Sequence, residues 1–213
     1  MVLASARPEP GLLREAQELE LAKYHGLMMS YNGGKVVDSA DGQILYEKSM
    51  PAADAKALLR HLEQYPVIPI VDDCKYIYTD QPDGFQMHYE SEGNNLPIKQ
   101  VDNTCDAVEF NPYKILIACL PEQLAPMIDD ISRPFEDKLS FMLSTPFYLE
   151  VTPKGISKST TLASICERLD IAREHVIAFG DGQNDISMIE YAGIGVAMGN
   201  ACAELKEAAD EIT

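Results

Sequence analysis

Two carboxylates, Asp181 and Asp185, stand four residues apart in the run Gly180-Asp181-Gly182-Gln183-Asn184-Asp185. Acidic oxygens so spaced suit a hard cation: Mg²⁺ takes oxygen ligands, keeps several waters and is commonly held by one or two carboxylates together with a substrate phosphate. The same residues have a plainer use, with Asp181 supporting a turn between glycines and Asp185 favouring the first turn of a helix through its charge. The surrounding elements favour the metal. The apolar residues 176–179 form a short, unalternated run ending at Gly180, which reads as a buried parallel strand. Asn184 is placed to cap a short helix whose apolar face is Ile186, Ile189 and Ala192. A second apolar run, 194–198, ends at Gly199-Asn200. In an open α/β sheet, ligands gather beyond the carboxyl ends of the strands, and both aspartates fall at such an end.

The elements that must hold this loop are spread along the chain. Residues 2–4 read as the last part of a strand, Ser5-Ala6-Arg7-Pro8 as a turn, and about 10–21 as a helix with proline in its first turn. A strand at 27–31 leads into Asn32-Gly33-Gly34, a strong turn signal, and a hairpin of 35–37 with 44–46 follows. The pattern changes near Pro51. Residues 52–65 read as an amphipathic helix with Ala55, Leu58, Leu59 and Leu62 on one side. Short strands are expected at 67–71, 76–79, 85–89 and 114–120, a helix at 121–135 that Pro134 ends or kinks, and a strand pair at 139–143 and 147–151. Residues 94–110 show little pattern. These elements do not alternate as βαβ, so they read as an α+β unit inserted into an α/β core. The expected fold is α/β: a Rossmann-like parallel-sheet core formed by 1–50 and 151–213, interrupted by an α+β domain at 51–150.

Residues 176–200 resemble motif IV of the haloacid dehalogenase-like hydrolases, in particular the Cof-type phosphatases. The resemblance extends upstream through Thr152-Pro153-Lys154-Gly155-Ile156-Ser157-Lys158 and back to Ser5-Ala6-Arg7-Pro8, and downstream through Gly199-Asn200-Ala201 to Ala208-Ala209-Asp210. It implies that the inserted unit is a cap domain, that the cofactor is Mg²⁺, and that the substrate is a small phosphorylated metabolite such as a sugar phosphate. It further implies hydrolysis through an aspartyl phosphate. On this resemblance Asp181 binds the metal and Asp185 completes the acidic cluster, Ser5 hydrogen-bonds a phosphoryl oxygen, and Asn184 orients the phosphate or a metal-bound water. Lys158 balances charge on the phosphoryl group and nucleophile. It matches the family's lysine better than Lys154 does, because a lysine in the first turn opposes the positive helix end unless an anion partners it. Arg7 either contacts the leaving group or serves a cap or salt bridge, and Asn32 either touches substrate or supplies turn geometry alone. The family's Asp-x-Asp-Gly strand, whose first aspartate is the nucleophile, has no counterpart here. The chain is therefore expected to lack both that motif and the C-terminal end, and a phosphate-binding or interaction module without turnover is the alternative to a phosphatase.

Composition narrows the partners. Among 213 residues there are 34 acids and 17 bases, a net charge of −17, which argues against nucleic acid or an anionic membrane as partner. No apolar run reaches the roughly 18 residues of a membrane helix. The five cysteines are scattered without a Cys-x-x-Cys pair, so free thiols in a reducing cytoplasm are expected. His25, His61 and His175 have no partner at ligand spacing and are expected to bind no metal. In the inserted domain His88, Tyr89, Tyr78 and Asp72 are candidate substrate contacts, with structural or solvated roles the more usual outcome for such residues.

Overall fold

The computed structural model describes every residue, Met1–Thr213. The chain divides into two compact units, one of Met1–Ala6, Leu19–Glu47 and Ile156–Thr213, the other of Arg7–Glu18 and Lys48–Gly155.

The first unit begins with β1 (Val2–Ala4), β2 (Leu27–Ser30), β3 (Lys35–Asp38) and β4 (Ile44–Glu47), which form a sheet in that order. β1 runs parallel to β2, while β2–β3 and β3–β4 are antiparallel. All four residues of β2 are buried, as its uninterrupted Leu-Met-Met-Ser run requires.

In the second unit a 3₁₀ turn, Glu9–Leu12, leads into α1 (Leu13–Glu18). The helix expected over 10–21 is thus shorter and starts as 3₁₀. α2 (Ala52–Leu62) buries Ala55, Leu58, Leu59 and Leu62, the face its sequence marks. That face joins Ile115, Ile117, Leu149 and Val151 in one apolar cluster. The sheet beneath comprises β5 (Ile68–Asp72), β6 (Ile77–Thr79), β7 (Ile98–Gln100), β8 (Ile115–Ala118), β9 (Leu139–Thr145) and β10 (Tyr148–Pro153), in the order β7-β6-β5-β8-β10-β9. Only β6 and β7 pair in parallel. One expected strand, 85–89, is instead the start of α3 (Met87–Asn94). Phe85, Met87 and Tyr89 mimic strand alternation, but the residues that bury are Met87 and Asn94, seven apart on one helical face. A short α4 (Thr104–Ala107), capped by the Asn103 side chain, lies in the unpatterned stretch. The helix expected over 121–135 is broken into α5 (Pro121–Leu124), α6 (Ile128–Ser132) and 3₁₀ turns at Ala125–Met127 and Arg133–Phe135. Pro126 and Pro134 lack the N–H a continuous helix needs.

The first unit resumes with α7 (Lys158–Arg168), β11 (Ile177–Gly180), α8 (Ile186–Tyr191), β12 (Ile194–Ala197), α9 (Ala203–Ala208) and β13 (Glu211–Ile212). The last three strands form an all-parallel sheet, β11-β12-β13. Its α/β core packs Leu162, Ile165 and Cys166 of α7 with Met188 and Ile189 of α8 and with Met29, Val36, Ala178 and Ala197 of the strands. The core strands thus lie in two sheets rather than one. β1 and β11 each end a sheet, and Met1–Ala4 and Val176–Phe179 line a common groove of about 780 Å³. Ile177 and Phe179 are 57% and 58% exposed there, far from the burial their apolar run predicts. No helix is long and apolar enough to cross a membrane.

Candidate active site

Ser5, Asn32, Lys158, Asp181, Asn184 and Asp185 belong to the first unit, and Arg7 and the candidates of the inserted domain to the second. The centre is an ion pair: Lys158 Nζ donates to Asp185 Oδ1 at 2.5 Å, and the two residues are 5% and 6% exposed. Lys158 sits at the first position of α7, whose N-terminus is closed by reciprocal bonds between Ser157 and Thr160. The ammonium that opposes the helix end is therefore matched by a carboxylate across the fold. Lys154, by contrast, is exposed and belongs to the second unit.

Asp185 is fully engaged. Its Oδ2 accepts the backbone N–H groups of Asp181 and Gly182, both at 3.1 Å. The carboxylate thereby folds the acidic loop back on itself while Oδ1 holds the lysine. The loop closes tightly enough that a Cβ on Gly180 would stand 2.6 Å from that of Asp185, so the glycine ending β11 is needed for close approach. Asp181 differs: its residue is exposed, and Oδ2 accepts from Asn200 Nδ2 at 3.0 Å. Asn200 lies in the Gly199-Asn200-Ala201 segment of the resemblance, just beyond β12, but the sequence alone assigns it no role.

The expected helix cap at Asn184 is not what forms. α8 starts at Ile186 with Asp185 in the cap position, and the Asn184 amide instead donates to Asn32 Oδ1 at 3.3 Å. Asn32 in turn donates its N–H to the Ser5 carbonyl at 2.9 Å, and Ser5 N–H bonds the Met29 carbonyl. Ser5, at the end of β1, is so linked through Asn32 and Asn184 to the acidic loop at the end of β11. The Asn32 turn is a left-handed run, with φ of 52° at Tyr31, 59° at Asn32 and 103° at Gly33. It packs on the start of α7: Thr161 Oγ1 donates to the Gly33 carbonyl at 2.8 Å. A Cβ on Gly33 would lie 2.7 Å from both the Ser157 carbonyl oxygen and Thr161 Oγ1. Asn32 thus has a side-chain contact beyond its turn geometry.

Arg7 lies in the second unit, with Nη1 3.7 Å from Glu15 and both side chains about half exposed. Of the other candidates there, Tyr78 donates to Asp73, His88 pairs with Asp83, and buried Asp72 accepts the Cys74 N–H. Tyr89 is exposed.

The donor set can be tested against a hard cation. Asp181 presents an exposed carboxylate that accepts one hydrogen bond, from Asn200, and Mg²⁺ asks for little more than one such group, waters and a phosphate oxygen. Asp185 adds a second negative charge four residues away. The donor chemistry is compatible with Mg²⁺: the Asp181 carboxylate is open to solvent, and Asp185 fixes its loop. Near them, Lys158 and the amide of Asn184 are donors suited to an anion.

The chain matches the family model of haloacid dehalogenase-like hydrolase over residues 1–213. YxeH of Bacillus subtilis is 29% identical over 213 residues, covering 99% of this chain and 78% of that protein. The crystal structure of a haloacid dehalogenase-like hydrolase from Bacteroides thetaiotaomicron superposes with a TM-score of 0.94 at 33% identity, over 100% of this chain and 80% of the other. A subclass IIB sugar phosphatase superposes with a TM-score of 0.77 at 25% identity, covering 100% of this chain and 78% of its own.

Proposed function

The chain belongs to the haloacid dehalogenase-like hydrolases, among which its relatives are phosphatases of small phosphorylated metabolites, and from that premise we propose that it serves the Mg²⁺-dependent hydrolysis of sugar phosphates. The observation that carries this reading is the buried Lys158–Asp185 pair set beside an exposed Asp181. It brings one cation, from the start of α7, to two carboxylates that follow the carboxyl end of β11, where an α/β core binds ligands. The sugar phosphatase among the structural neighbours supports the substrate class. Bound Mg²⁺ supplies positive charge for the phosphoryl oxygens. Lys158 neutralises charge on the phosphoryl group, Ser5 and Asn184 hydrogen-bond its oxygens, and Asp185 holds both the lysine and the loop in register.

We assign the attack to an aspartate outside residues 1–213. Its carboxylate oxygen bonds to phosphorus, the bond to the sugar oxygen breaks, and that oxygen leaves with a proton given by the second aspartate of the same Asp-x-Asp-Gly strand, which then takes one from the attacking water. Water then cleaves the acyl phosphate, releasing inorganic phosphate and restoring the carboxylate. The groove between β1 and β11 supports this assignment. A strand lying there would pair with both open edges and cover Ile177 and Phe179, and Ser5 and Asp181 follow directly on the two flanking strands. We also place the protein in the cytoplasm, a reading supported by five free cysteines.

The test fuses the Asp-x-Asp-Gly strand of a related phosphatase to the N-terminus of residues 1–213 and assays both forms with Mg²⁺ on a panel of sugar phosphates. The fused form should turn over and the unfused form should show weak residual hydrolysis at most. Comparable turnover by the unfused form, lost in Lys158→Ala, would mean that a carboxylate within 1–213 makes the attack.

A further inference from the structure

A histidine and two carboxylates converge at the base of the β3–β4 hairpin, apart from the site just described. His25 ends the 3₁₀ turn Leu21–Tyr24 in a left-handed conformation, φ 49° and ψ 40°. Asp38 closes β3, and Asp41 sits in the turn that follows. Along the chain His25 has no partner at ligand spacing; antiparallel pairing of β2 with β3, which sets Leu27 opposite Asp38, supplies the partners. One donor atom from each residue lies within 4.8 Å of the other two. His25 Nδ1 and Asp38 Oδ2 are 2.9 Å apart. We propose that His25, Asp38 and Asp41 form a binding site for a divalent transition-metal ion of the zinc type.

The distances suit such an ion. Imidazole and carboxylate ligands bind zinc at about 2.0–2.2 Å, so two ligands at right or near-tetrahedral angles stand roughly 3.0–3.4 Å apart by the same bond lengths. The His25–Asp38 pair is within tenths of an ångström of that bite, and Asp41, on an exposed turn, needs only a side-chain adjustment. Each carboxylate is anchored by a backbone N–H, and that of Asp38 is already turned to the imidazole. Asp38 Oδ1 accepts the Ala40 N–H at 2.8 Å and Asp41 Oδ1 the Gln43 N–H at 2.9 Å. Outer hydrogen bonds of this kind hold metal ligands in place.

Charge points the same way. Two carboxylates within 4.8 Å repel each other, and a single imidazole is the counter-group on offer, in a chain of net charge −17. The chemistry of the donors selects the ion: imidazole suits zinc, copper and nickel, whereas Mg²⁺ prefers oxygen alone. This site therefore differs in kind from Asp181 and Asp185, and its standing does not depend on the proposed reaction. A metal here ties the chain entering β2 to the β3–β4 hairpin. It should raise thermal stability by binding the folded form only.

The experiment titrates the folded full chain, its partly exposed Cys74 and Cys202 alkylated, with ZnCl₂ in a non-coordinating buffer by calorimetry, and follows melting with and without the ion. The variants are His25→Ala and Asp41→Asn, both at exposed side chains and so compatible with folding. His88→Ala is the control, because His88 pairs with Asp83 at 3.0 Å but lacks a second carboxylate. One zinc per chain is expected, with affinity lowered at least tenfold and the melting increment lost in both variants but kept in the control. Co²⁺ in place of zinc should give a visible d–d spectrum that disappears in His25→Ala. Undiminished zinc affinity in His25→Ala and Asp41→Asn, or no saturable binding by the parent chain, would overturn the proposal.

Discussion

Breaking the Lys158–Asp185 pair from each side in turn is a sharp test of the site's construction. Removing one member of a buried pair typically destabilises by about 3–5 kcal/mol, because the other charge is left without compensation. The two sides are unequal here. Lys158→Met leaves the Asp185 carboxylate with the N–H groups of Asp181 and Gly182 still donating to Oδ2. Two such bonds recover part of the loss, so the expected cost is about 2–3 kcal/mol. Asp185→Asn leaves a buried ammonium facing an amide and also removes the charged acceptor that folds the loop. Its expected cost is about 4–5 kcal/mol. That value has a natural ceiling: an unpaired buried lysine sheds its proton, and stripping an ordinary lysine amine at pH 7 costs about 4.6 kcal/mol. The double variant should recover stability relative to Asp185→Asn, since both charges are then gone. Urea unfolding followed by far-UV circular dichroism measures all three. With a slope of about 2 kcal/mol/M, Asp185→Asn should lower the midpoint by about 2 M and Lys158→Met by about 1 M. A shift below about 0.5 M for Asp185→Asn, or a larger loss in Lys158→Met, would refute the reasoning, because it would mean that water reaches the pair.

Three further outcomes are expected. In a chain carrying its nucleophile, Lys158→Ala and Asp181→Ala should each lower kcat by on the order of 10²–10³ with much smaller changes in KM, as for groups acting on charge that develops during transfer; near-normal kcat in either would remove that residue from the site. Gly33→Ala places a Cβ at φ 103° and 2.7 Å from the Ser157 carbonyl oxygen and Thr161 Oγ1, so it should destabilise by about 1–3 kcal/mol or more, read as a drop in the urea midpoint that Gly42→Ala, also at positive φ but with nothing within 4 Å, does not match in size. Burial raises the Asp73 carboxyl, but hydrogen bonds from the Tyr76 N–H, the Tyr78 hydroxyl and the Lys75 N–H outweigh it and leave Asp73 below its ordinary value of 3.8; a lowered carboxyl stabilises above that value and stops doing so as pH falls through the folded one. The stability gap between the parent and Asp73→Ala should therefore be full at pH 6 and narrow below about pH 4, and a gap independent of pH would assign the effect to packing.

What the sequence made legible was local. The acidic loop, the strand before it and the helix after it follow from residues within a dozen positions of one another, and each lies where its pattern puts it. α2 is legible because four apolar residues at helical spacing leave little choice of face. The errors fall where two periods coincide or where proline interrupts a helical run. Met87 serves either a strand or a helix, and only the burial of Asn94 decides. Pro126 and Pro134 leave composition helical while removing the hydrogen bonds that would make it one helix.

The site's remaining parts are tertiary, and no window along the chain contains them. Asn184 looks like a cap because asparagine before a helix commonly caps it. It instead meets Asn32, 152 residues away, since Asp185 already occupies the loop's N–H groups and leaves the amide free to turn outward. His25 looks isolated because its partners are 13 and 16 residues on, a separation that only the β2–β3 register closes. The groove is the clearest case. Ile177 and Phe179 read as buried from their neighbours in sequence, yet burial is a property of what stands opposite. β1 and β11 each pair on one side only, so the same residues that mark strands bound for an interior end on an open edge. An edge of that kind is a template for another strand. It is flanked by Ser5 on one side and Asp181 on the other, so whatever pairs there ends beside the residues proposed to meet phosphate and Mg²⁺.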